Sequence, residues 1–323
     1  MNKVYKHLFW KGGLFLNEVI HLFPPHLQGY FANHALPSFI EEIRVRIHAP
    51  IELITNEGVY YLRDEKEDLY VLTEEDVDYI LNQLSEFSIY AFHEELKQGF
   101  ITTKGGHRVG LGGQVVQEDG KVQTMKHVRF FNIRLARSRP GVALPSAKRL
   151  YRYHVDHTLI IGPPQSGKTT FLRDLARILS NGEWNDQHIS KKVAIVDERS
   201  EIAACYQGIP SFDVGKRTDV LDRCPKAEGM MMMIRSMSPD VIIVDEIGRE
   251  EDVDAILEAA YAGVTVICSV HGHSEEEMKK RPTMKRLFSD VLFKHILTLH
   301  RTSLGKVKVK ERTFKPSFSV IEK

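Results

Sequence analysis

The segment Gly162-Pro163-Pro164-Gln165-Ser166-Gly167-Lys168-Thr169 sets two glycines, a lysine and a hydroxyl at the spacing GxxxxGK[ST], which suits the capture of a polyphosphate. The glycines let backbone N–H groups wrap the phosphates, and a helix opening at this point adds the positive end of its dipole. Lys168 then reaches the β- and γ-phosphates, and the Thr169 hydroxyl ligates Mg²⁺. Gly162 through Thr170 are therefore the candidate nucleotide-binding residues. Downstream, Val241-Ile242-Ile243-Val244 ends in Asp245 and Glu246, the form of a buried strand that delivers carboxylates to its carboxyl end. Asp245 can hold the metal's water shell while Glu246 orients or deprotonates an attacking water.

A second acidic strand end is Val196-Asp197-Glu198-Arg199, with Glu201 close behind. Either Glu198 or Glu246 can serve as the base, and spacing does not decide between them. Ser269-Val270-His271-Gly272-His273 follows an apolar strand, where a hydroxyl and an imidazole can sense a γ-phosphate. Zinc at Cys268, His271 and His273 needs a sharp turn and lacks an obvious fourth ligand. A guanidinium on the γ-phosphate completes such chemistry, often from a neighbouring subunit, and Arg217, Arg223, Arg235 and Arg249 are the candidates.

Elements of fixed spacing must position these groups. His157 to Ile161 predicts a strand, Lys168 to Leu179 a helix, Lys192 to Val196 and Val241 to Val244 strands, Glu251 to Tyr261 a helix and Val264 to Ser269 a strand. This alternation predicts an α/β domain with a mostly parallel sheet, its ligand at the carboxyl ends of the strands; the family resemblance described below implies that it is a RecA-like P-loop ATPase domain. Met230 to Met233 read as helix core. The preceding chain reads as a smaller α+β domain: Ile43, Val45 and Ile47 alternate with Arg44, Arg46 and His48, a half-buried strand with a basic outer face. Ile51 to Thr55 and Val59 to Leu62 form a hairpin, and Thr73 caps a helix with an acidic first turn. The boundaries expected are 1–130 for the amino-terminal domain, 131–150 for a basic linker and 151–323 for the P-loop domain. Between Lys121 and His154 there are nine Lys or Arg and no Asp or Glu, which reads as that linker or as a basic collar facing phosphates.

A chain of 323 residues with 42% apolar and 27% charged residues has the composition of an ordinary folded protein, with room for two domains. Its formal charge of +1 excludes a general polyanion binder. Three cysteines without CxxC spacing suit a reducing compartment. The apolar stretch from Leu8 to Leu16 is broken by Lys11 and lacks a small-residue cleavage site, so no secretory signal is expected. No apolar run is long enough to span a bilayer, so a cytoplasmic location is expected, with any membrane association running through partners.

Further motifs carry a family resemblance. Asp213 to Asp222, Cys224-Pro225-Lys226, Met230 to Arg235 and Ser238-Pro239, up to Asp245-Glu246-Ile247-Gly248-Arg249, closely resemble the stage III sporulation protein AA family. Glu42 to Arg46, Gly99 to Thr102 and Gly105 to Gly110 resemble its first domain, so the likeness spans nearly the whole chain. The resemblance implies a Mg²⁺-dependent ATPase of the mother cell, similar to secretion and type IV pilus motor ATPases. Such an enzyme would energise a channel between mother cell and forespore. It implies a homo-hexameric ring that docks on membrane-embedded components of a sporulation secretion channel. It also implies that Asp197, Glu198 and Glu201 form the family's acidic box, Asp245 and Glu246 its Walker B, His271 its histidine box and Arg235 the arginine before Walker B, with Arg217 a further candidate. Asp245 departs from many secretion ATPases, which carry glycine there.

A nucleic-acid-dependent RecA-like ATPase is the rival reading, with the Arg44/Arg46 face and the basic linker as its track. Aromatic residues interleave with basic ones only at Phe130-Phe131, so nucleic acid is a poor fit. A GTPase switch would need the Asn-Lys-x-Asp base-reading sequence, which is absent.

Overall fold

The computed structural model describes residues 14–33, 36–37, 40–55, 57–86, 92–136, 138–289, 292–302 and 307–314. The apolar stretch at Leu8 and Arg137 of the basic run lie outside them. The chain divides into two compact units, Met1–Arg137 and Ser138–Lys323.

The first unit is built on six antiparallel strands: β1 (Ile40–Arg46), β2 (Glu52–Thr55), β3 (Val59–Tyr61), β4 (Phe100–Thr102), β5 (Arg108–Glu118) and β6 (Lys121–Arg134), in the order β3-β2-β1-β6-β5-β4. On β1 the alternation read from the sequence holds, with Ile43 and Val45 fully buried. They share a core with Val77 and Ile80 of the helix Glu74–Leu84, which opens in a capping box between Thr73 and Asp76. The outward face of β1 is not the basic track expected. Arg44 lies 3.4 Å and Arg134 3.5 Å from the Glu42 carboxylate, and Arg46 lies 2.8 Å from Glu52.

Regular structure occupies both ends of residues 131–150, a strand through Arg134 and a helix from Leu144, and the division between the two units falls between them. Asp119 and Gly120 both adopt positive φ, 50° and 71°, the two-residue turn that reverses a hairpin. Lys121 to Arg134 therefore returns as β6 against β5, and its basic residues are the side chains of a strand. Leu144–Leu150 is a helix of the second unit. The approach to that helix is tied down where the Gly141 and Ala143 N–H groups donate to the buried Asp174 carboxylate at 2.9 and 2.8 Å.

The second unit carries seven strands: β7 (Thr158–Gly162), β8 (Val193–Asp197), β9 (Thr218–Asp222), β10 (Val241–Val244), β11 (Thr265–His271), β12 (His295–Arg301) and β13 (Val307–Thr313). Their order is β13-β12-β7-β11-β10-β8-β9, parallel throughout except for β13 against β12. Strand residues alternate between two cores. Ile160, Ile195, Ile243 and Ile267 pack with Phe171, Leu172 and Leu175 of the helix Lys168–Asn181. Ile161, Val196, Ile242 and Val266 pack with Met230 and Met233 of the helix Lys226–Met237 and with Val253 and Ile256 of the helix Glu250–Tyr261. The expected RecA-like sheet with helices on both faces is thus present, and β9, β12 and β13 extend it beyond the strands read from the sequence.

The helix Lys226–Met237 approaches β8 so closely that a Cβ on Gly229 would lie 2.5 Å from Val196 Cγ1 and 3.0 Å from Cys224 Sγ. The expected result for Gly229→Ala is a net loss of about 1–2 kcal/mol in urea unfolding, because overpacking outweighs the helix propensity gained. Unchanged or higher stability would show that this contact yields.

Candidate functional site

The parallel strands point one end of the sheet at a common place. Gly162 closes β7, Asp197 closes β8, Asp245 and Glu246 follow β10, and His271 closes β11. Since β11 lies between β7 and β10, the phosphate loop and the acidic strand end face each other across it.

The loop Gly162–Gly167 turns tightly into the helix Lys168–Asn181, with Gln165 at φ 61° and Gly167 at φ 96°. Only glycine adopts the second value without strain. Ser166 is buried, and its Oγ is without a hydrogen-bond partner among the described residues. An orphaned hydroxyl inside a loop of aligned N–H groups is a fit for an anionic oxygen supplied by a ligand.

Lys168 is buried, and burial lowers its pKa against the opposing pull of Asp245, Glu246 and Glu201. Its Nζ donates to the Pro163 carbonyl at 3.1 Å and to His271 Nδ1 at 3.0 Å. His271 therefore carries its ring proton on Nε2, 2.5 Å from Glu246 Oε1. The other oxygen of Glu246 lies 2.8 Å from Arg199 Nη1, and the Glu246 backbone sits at φ 56°. The Thr169 hydroxyl donates to Asp245 Oδ2 at 2.5 Å, and Ser269 Oγ donates to Asp245 Oδ1. Ser269 Oγ in turn accepts from the Glu246 N–H at 3.0 Å. Thr169 and Asp245 thus present adjacent hard oxygen donors, the set Mg²⁺ takes from a protein when phosphates and water complete its shell.

Glu198 is paired with Lys226, at the start of the helix Lys226–Met237. Asp197, Glu198, Arg199, Glu201, Lys226, Asp245 and Glu246 line one cleft of about 20 Å³, enough for a water molecule. Burial raises the Asp197 carboxyl to about 6 even though it accepts backbone N–H bonds from Glu201, Ile202 and Ala203.

Two expected catalytic arginines are not brought here within one chain. Arg217 precedes β9, at the amino end of the parallel strands, and its guanidinium donates to the Ser190 carbonyl and hydroxyl at 3.2 and 2.7 Å. Arg235 is exposed in the last turn of a helix that returns the chain to that same end. Arg223 sits beside Asp222 at 3.9 Å, and the Arg249 N–H donates to Asp252. Among the described residues no group of three or more His, Cys, Asp or Glu is arranged to hold a metal, and Cys268 is fully buried with its thiol pKa raised by burial. Sequence reasoning gave no catalytic place to Lys226 or Arg173. Both have charges that read as helix surface, and their partners lie far along the chain.

The fold is that of a RecA-like P-loop ATPase domain, which follows a smaller α+β unit along the chain. The structure is similar to the ATPase DotB of Yersinia pseudotuberculosis, with a TM-score of 0.59 and 16% identity over 86% of this chain and 76% of that one. It is also similar to the pilus retraction motor PilT with bound ADP, with a TM-score of 0.57 and 16% identity over 86% of this chain and 80% of that one. At such identities the likeness is one of fold. In sequence, the family model "Sporulation stage III, protein AA" matches residues 29–311. The stage III sporulation protein AA of Bacillus subtilis (strain 168) is 50% identical over 288 residues, covering 88% of this chain and 91% of that protein. The chain belongs to the stage III sporulation protein AA family. No helix among the described residues is long and apolar enough to cross a membrane.

Proposed function

We propose that this protein is a Mg²⁺-dependent ATPase that works as a ring of identical copies. In this reading it energises a secretion-like channel between mother cell and forespore, from the cytoplasmic side of the membrane. The observation that carries the hydrolytic part is the meeting of Lys168, Thr169, Asp245, Glu246 and His271 at one end of the sheet. ATP brings the γ-phosphoryl group, and Mg²⁺ brings the charge that neutralises it. The loop Gly162–Thr170 binds the phosphates, and Ser166 Oγ gains the partner it lacks. Thr169 and Asp245 hold the metal. Glu246 takes the proton of the attacking water, because its carboxylate is oriented from both sides by His271 and Arg199. Glu198, engaged by Lys226 across the same cleft, orients the loop it stands on. His271 spans Lys168 and Glu246, so it can report phosphate occupancy at the lysine to the carboxylate. Arg217 and Arg235, remote from their own P-loop, would serve the site of an adjacent copy in the ring, Arg217 by exchanging its bonds to Ser190.

The membrane-apparatus reading is supported by the sporulation family and by the fold shared with a pilus retraction motor. The nucleic-acid reading loses the Arg44/Arg46 part of its track, because Glu42 and Glu52 pair with the arginines of β1. Phosphate release measured over a protein-concentration series, with and without single-stranded DNA, separates the two. The expected result is specific activity that rises with concentration and ignores DNA. Stimulation by DNA at constant specific activity would overturn the proposal in favour of a translocase.

A further inference from the structure

Arg173 lies one turn beyond Thr169 on the phosphate-binding helix and is only 7% exposed. Burial lowers its pKa to about 10, so it stays charged at neutral pH although desolvated. Its donors serve a different segment. Nε donates to the Ile202 carbonyl at 2.5 Å and Nη2 to the Glu201 carbonyl at 2.7 Å. The guanidinium also lies over the Phe212 ring, 3.8 Å from its centroid. From the opposite side, Asp197 accepts the N–H groups of Glu201, Ile202 and Ala203 at 2.8, 2.9 and 2.9 Å. Two buried charges of opposite sign therefore grip the carbonyl edge and the amide edge of one loop.

That loop needs gripping. Ser200 and Ala204 hold φ values of 53° and 49°, a left-handed conformation that is unfavourable for a residue bearing a Cβ. Strain of this kind persists only where the surroundings impose it. The same loop carries Glu198, Arg199 and Glu201, and Arg199 is the residue that reaches Glu246. A continuous path therefore runs from the phosphate-binding helix through Arg173 to the loop, and through Arg199 to the carboxylate after β10.

We propose that Arg173 is a positioning residue. It latches the acidic loop to the phosphate-binding helix, so that the carboxylates following β8 and β10 keep a fixed place relative to Lys168 and Thr169. The inference rests on the ATPase reading of the site. Packing alone would be met by an apolar side chain of similar volume, whereas the latch uses the planar fork of donors that only arginine supplies.

The test compares wild type, Arg173→Gln and Arg173→Lys in the full chain, measuring ATP affinity, kcat and amide exchange at residues 201–203. The expected result is affinity within about threefold of wild type in both variants, with the loss falling on kcat. That loss should be roughly a hundredfold in Arg173→Gln and smaller in Arg173→Lys, which keeps the charge but carries its donors on a single nitrogen. Exchange at 201–203 should be faster in both. If Arg173→Gln does not fold, Arg173→Lys decides by the same split. Wild-type kcat in the variants, or equal losses in affinity and kcat, would overturn the latch while leaving the ATPase reading standing. A wild type without activity would overturn both.

Discussion

Lys168→Ala is expected to weaken nucleotide binding and abolish hydrolysis while leaving the protein folded. Lys168 Nζ is the cation at the mouth of the phosphate loop, and its present partners are a carbonyl and an imidazole rather than a carboxylate. Among the described residues no carboxylate is bonded to it, although Asp245, Glu246 and Glu201 lie near enough to act on it, so the ammonium group is available to a phosphate. A charge-assisted bond to an ionised phosphate is worth about 1.5–3 kcal/mol, which converts to a loss of roughly ten- to over a hundredfold in affinity. The substitution also removes the donor that fixes the His271 tautomer, so turnover at saturating ATP should fall to background. Calorimetric titration with ATP and with ADP checks the first effect, and phosphate release checks the second. Wild-type affinity in the variant would mean that the loop is not the phosphate site.

Glu246→Gln is expected to separate binding from turnover. The amide keeps the size of the side chain and can still contact His271 and Arg199, but it cannot take a proton. Loss of a positioned base costs roughly 10²–10⁴-fold in rate, with ATP affinity preserved. Glu198→Gln should cost far less, because Glu198 is engaged by Lys226, whereas Glu246 is paired with His271 and, through it, linked to Lys168. Single-turnover hydrolysis of prebound ATP by both variants gives the comparison. A larger loss in Glu198→Gln would reassign the base to the end of β8.

The phosphate loop, Asp245 and Glu246 were readable from the sequence because each is a run of adjacent residues whose chemistry depends on local backbone form. The strands that flank them were readable for a related reason, since burial on both faces leaves an unbroken apolar run. β6 was not, because its exposed face is rich in Lys and Arg and imitates a solvated connection. The signal against a linker was Asp119-Gly120, a two-residue hairpin turn. β9 was missed because its residues are only half-buried or exposed, and β12 and β13 because they lie beyond the last motif. The alternation on β1 was correctly read, yet Arg44 and Arg46 face carboxylates, one of them from the neighbouring strand. Long-range pairs were out of reach. Arg173 is 29 residues from Ile202 and Lys226 is 28 from Glu198, and helical periodicity assigns such charges to the surface.

In the reading proposed here the carboxyl end of this sheet hydrolyses ATP with a metal held by Thr169 and Asp245. Phosphate release from ATP by the wild-type protein, titrated with Mg²⁺ and then with excess chelator, tests it most directly. The result expected is turnover that appears with Mg²⁺, vanishes with chelator and is absent from Thr169→Ala at the same concentration. Turnover indifferent to chelator, or equal in Thr169→Ala, would contradict it.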